Sequence, residues 1–146
     1  MIDRNARNKL AESIRGLASG LITNDQFEDS VPNSEDRAIS EIYSNGAWSL
    51  YSDTHEYKLK GKDKLAKEDK QLVSRWVLFL KSDNEYKWPT ITLLETVLCL
   101  VTLGLWRRKL RAKWSRTGEI EIWPFISNSE FEEAKGNSGY LGVSST

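Results

Sequence analysis

A continuous apolar segment from Trp88 to Trp106 constrains this chain more than any other feature. It contains one charged residue, Glu95, and has a Trp at each end. As a single helix it would be about 27 Å long, which is close to the thickness of the hydrocarbon core of a membrane. The residues that follow, 107–116, include six Lys or Arg and no acid. The segment therefore predicts a helix that is either buried in protein or in contact with a membrane.

Three environments fit residues 91–106, and a core helix is favoured. The strictly apolar part is shorter than the roughly 20 residues that a spanning helix needs, and Glu95 at its centre opposes insertion by about 2.5–3.5 kcal/mol. The polar residues of the run would share one stripe, which suits packing against protein. They are Thr92, Glu95, Thr96, Cys99 and Thr102. An interfacial helix and a single-pass membrane helix remain the alternatives.

The composition indicates one folded domain and gives no sign of an oxidising compartment. The chain has 146 residues, of which 39% are hydrophobic and 29% are charged, as in ordinary globular domains. Its formal net charge is zero, so global charge gives no argument for nucleic acid. The lone Cys99 cannot form an internal disulfide, and charged residues interrupt the first twenty positions where a secretory signal would lie. We expect a cytoplasmic protein.

Apolar periodicity and capping signals predict most of the fold to be helical. Leu10, Ile14, Leu17 and Leu21 lie on one helical face, and Thr23 with Gln26 forms a capping-box pattern. A start signal at Ser34 precedes a long helical pattern with a weak point at Gly46, and a polar, lysine-rich loop follows it over 52–70. The predicted helices are about 3–18, a short one before Pro32, 34–51, 72–80 and a last one from 128 or 129 to 134.

Residues Glu119–Trp123 alternate acidic and apolar side chains, which is the pattern of a β-strand. Pro124 would end it at a sheet edge, and its partner strand would be Tyr86–Trp88 or Tyr57–Leu59. The predicted fold class is therefore mainly α: a single helical domain over 1–135, of four to five helices with one short two-stranded β element. Residues 136–146 are predicted to form a flexible tail.

The sequence contains little that could support catalysis. His55 is the single histidine and Cys99 the single cysteine, too few for a zinc site, and no nucleophile-elbow motif is present. Gly61-Lys62-Asp63 lacks the remaining residues of a phosphate-binding loop. We expect no catalytic residues, no metal, no cofactor and no small-molecule ligand. An enzyme using carboxylates with help from His55 is the alternative hypothesis.

Two surfaces are candidates for binding. The first is a basic stretch with one interleaved Trp, which would contact anionic lipid or an acidic protein. Its residues are Arg107, Arg108, Lys109, Arg111, Lys113, Trp114 and Arg116. The alternative is a solvated helix end whose cations offset the helix dipole. The second candidate is an aromatic anchor formed by Trp123 and Phe125, for which a lid on the core is the alternative.

Several short motifs together resemble a family of small, uncharacterised bacterial proteins. They are Ile22–Glu28 (ITNDQFE), Leu50–Asp53 (LYSD), Arg75–Ser82 (RWVLFLKS), Glu85–Pro89 (EYKWP) and Ile122–Phe125 (IWPF). The resemblance covers about residues 10–134. It implies a bacterial origin and carries no activity, ligand or catalytic residue.

These observations predict a non-enzymatic binding protein in the cytoplasm, either free or peripheral to the inner membrane. Its partner would be an unknown protein or an anionic membrane surface, and nucleic acid is not expected. One alternative is an immunity- or inhibitor-type protein that uses the acidic region 25–41. Another is a single-pass membrane protein held by 91–106.

Overall fold

The computed structural model describes residues 1–90, 93–102 and 105–137, and these ranges are mainly helical. Their α-helices are α1 (Arg4–Ala18), α2 (Asn24–Ser30), α3 (Arg37–Asn45), α4 (Lys67–Lys81), α5 (Leu93–Val101), α6 (Leu105–Thr117) and α7 (Asn128–Gly136). Single 3-10 turns lie at 47–50, 61–63 and 120–122. The mainly α prediction is confirmed. The predicted β element is wrong, because no strand occurs within these ranges.

Helix α1 forms as its apolar spacing predicts. Leu10, Ile14 and Leu17 are completely buried, and the Asp3 carboxylate caps the helix by accepting a hydrogen bond from the Ala6 N–H at 3.0 Å. The helix ends at Ala18, before Gly20 takes a left-handed conformation with φ of +69°. Leu21, the last member of the predicted stripe, therefore lies beyond the helix and is exposed.

Helix α2 begins with the predicted capping box. Thr23 Oγ1 accepts a hydrogen bond from the Gln26 N–H, and Gln26 Oε1 accepts one from the Thr23 N–H. The next residue, Asn24, is buried and binds the following loop: its Nδ2 donates to the Ser52 and His55 carbonyls, and its Oδ1 accepts from the Tyr57 N–H. One buried amide thus holds the 52–57 loop against α2.

The long helix predicted over 34–51 is shorter in the structure. Asp36, not Ser34, caps α3, and the helix ends at Asn45 before the 3-10 turn 47–50. A Cβ at Gly46 would lie 2.6 Å from the Ile42 carbonyl oxygen and 3.1 Å from the Trp76 ring. Glycine is required here because the end of α3 approaches the α4 tryptophan so closely.

Helices α1 and α4 form the centre of the core. Helix α4 begins earlier than predicted, at Lys67, and buries a wide apolar face consisting of Val73, Trp76, Val77, Leu78, Phe79 and Leu80. Helices α2 and α3 contact α1, and α7 contacts α4. The predicted tail lies mostly outside the described residues, since 138–146 are not described, while Gly136 is the last residue of α7.

The predicted strand at 119–123 is a 3-10 turn. The Trp123 and Phe125 N–H groups donate to the Ile120 and Ile122 carbonyls, and the Glu119 N–H donates to the Ile126 carbonyl. These local bonds use the backbone groups that a partner strand would need. The candidate partner segments are engaged elsewhere: the Tyr57 carbonyl accepts from the Asn24 N–H, and the Trp88 carbonyl accepts from Arg37.

A buried ion pair joins α1 to the start of α3. Arg7 and Asp36 are almost completely buried, and the Arg7 Nε and Nη2 donate to the two Asp36 carboxylate oxygens at 2.6 and 3.1 Å. Arg7 Nη1 donates to the Asn84 carbonyl at 2.8 Å. The carboxylate also accepts from the Asp3 and Ala38 N–H groups. A single ion pair thus fixes three segments, and its polar atoms are satisfied as burial requires.

Arg7→Met is expected to lower the free energy of unfolding by about 3–5 kcal/mol, because it leaves the buried Asp36 carboxylate without its counter-ion. Urea denaturation followed by circular dichroism measures the change. Lys9→Met is the matched control, since Lys9 is exposed on the same helix and should change stability by less than about 0.5 kcal/mol. Equal effects of the two substitutions would contradict the assignment.

The same ion pair predicts a loss of stability in acid. Burial opposes ionisation of Asp36, but hydrogen bonds from Arg7, Asp3 and Ala38 hold its pKa below the ordinary value of 3.8. Because the folded pKa is the lower one, the stabilisation is complete above the unfolded value and is lost as pH falls through the folded value. Between about pH 5 and about pH 2, unfolding free energy should fall more steeply in the wild type than in Asp36→Asn. Parallel pH profiles would refute this.

Candidate functional site

Helices α5 and α6 form an antiparallel hairpin, which we call the α5–α6 hairpin. The Lys113 ammonium lies 3.0 Å from the Glu95 carboxylate, although one continuous helix would hold these residues about 27 Å apart. The chain therefore reverses between the two helices, and the interpretation of 88–106 as one helix is wrong. Residues 91, 92, 103 and 104 of this run lie outside the described residues. In the described part of the chain, no helix has the length and apolarity needed to cross a membrane.

Helix α5 exposes one apolar face. Leu94, Val97, Leu100 and Val101 are 47–74% exposed, and their spacing places them on one side of the helix. No α5 residue whose burial is described is buried, so the prediction of a core helix is wrong for α5. Glu95, paired with Lys113, points towards α6 instead. Sequence reasoning recognised the apolar run but did not single out these four residues as a surface.

Helix α6 carries its basic residues on the outside, as predicted. Trp106, Leu110 and Trp114 recur at helical spacing and are half-buried, which defines the inner stripe of the helix. The six basic residues occupy the remaining surface and are all exposed: Arg107, Arg108, Lys109, Arg111, Lys113 and Arg116. Among the described residues, Lys113 alone of these six forms an ion pair. We call this set the α6 basic surface.

Trp114 attaches α6 to the core. Its ring lies 5.4 Å from that of Trp88, which is completely buried. The Trp88 Nε1 donates to the carbonyls of Pro124 and Phe125 at 3.0 and 3.3 Å. Trp114 therefore has a structural role, and α6 is the helix through which the hairpin is held.

An open cleft of about 690 Å³ runs beside the two helices. Its apolar lining consists of Cys99, Leu110, Trp114 and Ile120, and the cations of Arg107, Arg108 and Arg111 line it as well. The arrangement offers positive charge next to apolar surface. A ligand that carries an anionic group on an apolar body fits this chemistry.

The second candidate, the aromatic pair Trp123 and Phe125, is a lid on the core. Phe125 has no exposed surface and contacts the rings of Phe79 and Phe131 at 5.1 and 5.3 Å. Trp123 is half-buried and donates from Nε1 to the Tyr86 hydroxyl at 3.0 Å. Burial raises the pKa of Tyr86 to about 12, although this hydrogen bond acts in the opposite direction. Neither side chain is an exposed anchor.

The remaining sequence candidates lie away from this hairpin. His55 is exposed, its ring stacks on Tyr57 at 4.9 Å, and its Nδ1 lies 3.1 Å from Thr54 Oγ1. In the acidic region 25–41, Asp36 is buried and paired with Arg7, so it is not part of the surface. The exposed acids are Asp25, Glu28, Asp29, Glu35 and the half-exposed Glu41. No ion pair between described residues joins this region to the α6 basic surface.

Trp114→Ala is expected to loosen α6 while leaving the core intact, because it removes the ring that packs on Trp88. Hydrogen exchange followed by mass spectrometry should show faster exchange of the 105–117 amides, with α1 and α4 unchanged. Trp48→Ala is the control, since Trp48 is half-exposed and stacks on Tyr43. Faster exchange throughout the chain, or none in α6, would contradict the anchoring role.

The comparisons with known proteins give no indication of function. No protein-family model matches the chain, and neither the curated proteins nor the solved structures gave a match. The resemblance to small bacterial proteins stays a prediction.

Proposed function

We propose that this chain is a non-enzymatic binding protein that attaches to anionic membrane surfaces through the α5–α6 hairpin. One observation supports the proposal above all: the exposed apolar face of α5 belongs to the same hairpin as the α6 basic surface. Apolar side chains next to Lys and Arg are typical of helices that lie in the membrane interface. The hairpin would lie on the bilayer without crossing it.

The two halves of the hairpin would contribute different energies. Each apolar side chain of α5 that enters the acyl region gains about 25 cal/mol for every Å² removed from water. Each Lys or Arg near an anionic leaflet contributes about 1 kcal/mol, and salt weakens that contribution. A single weak signal gives only marginal attachment, whereas two combined signals give stable attachment. The zero net charge of the chain does not oppose this, because the relevant charges are local.

A membrane fits the α5 face better than an acidic protein does. Its exposed large side chains are aliphatic, consisting of Leu94, Val97, Leu100 and Val101. Protein interfaces depend mainly on Trp, Tyr and Arg in well-packed pockets, while aliphatic side chains are under-represented among their hot spots. In a cytoplasmic protein of a bacterium, as the sequence predicts, the anionic surface within reach is the inner leaflet of the membrane.

The first test is co-sedimentation with vesicles of phosphatidylglycerol and of phosphatidylcholine. The wild type should bind the anionic vesicles in preference, and binding should weaken as salt is raised. The triple variant R107Q/R108Q/R111Q should bind up to about 100-fold less tightly, because three cations are lost. Its matched control is K58Q/K62Q/K67Q, which removes three exposed cations from the 58–70 segment and should bind nearly as well as wild type.

The apolar half is tested separately. L94S/L100S should reduce vesicle binding without lowering the thermal unfolding temperature, because both leucines are exposed. Leu72→Ser, at a partly exposed leucine of α4, serves as the control and should keep full binding. The proposal fails if wild-type protein ignores anionic vesicles, or if both triple variants lose binding equally.

A further inference from the structure

A second basic surface is formed by residues of 12–21 and 59–74, between the end of α1 and the start of α4. It is an open groove of about 750 Å³, which we call the lysine groove. Its cations are Arg15, Lys60, Lys64 and Lys70, and Leu21 contributes exposed apolar surface. The α5–α6 hairpin contributes no described residue to this lining, so the groove is separate from the proposed membrane surface.

The charge of the lysine groove is largely uncompensated. Glu12 is the single acid among its lining residues, and its carboxylate already binds Arg15 at 3.0 Å and Lys81 at 2.9 Å. Lys60, Lys64 and Lys70 are exposed and form no ion pair with any described residue. Three cations at the rim are thus available to an anionic ligand.

Backbone packing fixes the position of one of these cations. Gly20 has φ of +69°, and a Cβ there would lie 2.5 Å from Lys60 Cγ and 3.0 Å from the Leu59 carbonyl oxygen. The 59–60 segment therefore lies directly on the end of α1, and the stem of Lys60 crosses the glycine. Leu21, exposed beside it, also lines the groove.

We propose that the lysine groove binds an acidic peptide segment of a partner protein, with an apolar side chain of that segment on the exposed Leu21. Charge complementarity supports this occupant, because the rim cations can pair with Asp or Glu side chains. Single-stranded nucleic acid fits less well because no aromatic side chain of the described residues lines the groove for base stacking. A concave groove also suits a protruding chain better than a flat membrane.

The experiment measures binding of a fluorescein-labelled peptide, in which Glu residues flank a central pair of leucines, by fluorescence anisotropy. The matched peptide has Gln in place of every Glu. Wild-type protein should bind the acidic peptide and not the Gln peptide. K60E/K64E/K70E should weaken binding about tenfold or more, because three favourable pairs become repulsive.

The control variant K58E/K62E/K67E makes the same change of charge at exposed lysines of the same segment that do not line the groove. It should bind within about threefold of wild type, as should R107Q/R108Q/R111Q on the α6 basic surface. Equal loss in both lysine triples, loss in the α6 variant, no binding of the acidic peptide, or tighter binding of a single-stranded oligonucleotide would each overturn the proposal. Circular dichroism verifies that the variants fold.

Discussion

The burial of Trp88 is the interaction on which the rest of this structure depends. Its indole N–H donates to the Pro124 and Phe125 carbonyls, its ring packs on Trp114 of α6, and its own carbonyl accepts a hydrogen bond from Arg37 of α3. One side chain thus joins the helical core to both segments that follow it. Because this attachment reaches the hairpin through α6, α5 is held mainly by α6 and its apolar face stays exposed.

The chain has equal numbers of acidic and basic residues, but some of them are clustered by sign on different helices. The deeply buried ion pair between Arg7 and Asp36 acts within the core, where it fixes the starts of α1 and α3. Part of the remaining charge is segregated: α6 carries exposed cations and no exposed acid, and α2 carries exposed acids and no cation. A net charge of zero therefore does not describe the local charge of these helices.

Capping and the α1 stripe were predicted from the sequence, whereas the chain reversal at the hairpin, the turn at 119–123 and the contact of Trp114 with the core were not. The Thr23–Gln26 capping box and the α1 stripe are local, and both form. The reversal between α5 and α6 could not be read from periodicity, because a hairpin and a single helix have the same apolar spacing; the Glu95–Lys113 pair reveals it. The alternation at 119–123 predicted a strand, yet local bonds made a 3-10 turn. Exposure of the α6 cations was expected, whereas the core partner of Trp114 was not.

The most direct measurement of the central claim is the depth of α5 in a bilayer. A nitroxide label at position 97, introduced as Val97→Cys in a Cys99→Ser background, would report collisions with oxygen and with a water-soluble nickel complex by electron paramagnetic resonance. On phosphatidylglycerol vesicles, this label should become accessible to oxygen and protected from nickel, while a label at Leu72 should stay in water. A label at 97 that remains accessible to nickel on vesicle-bound protein would contradict the account.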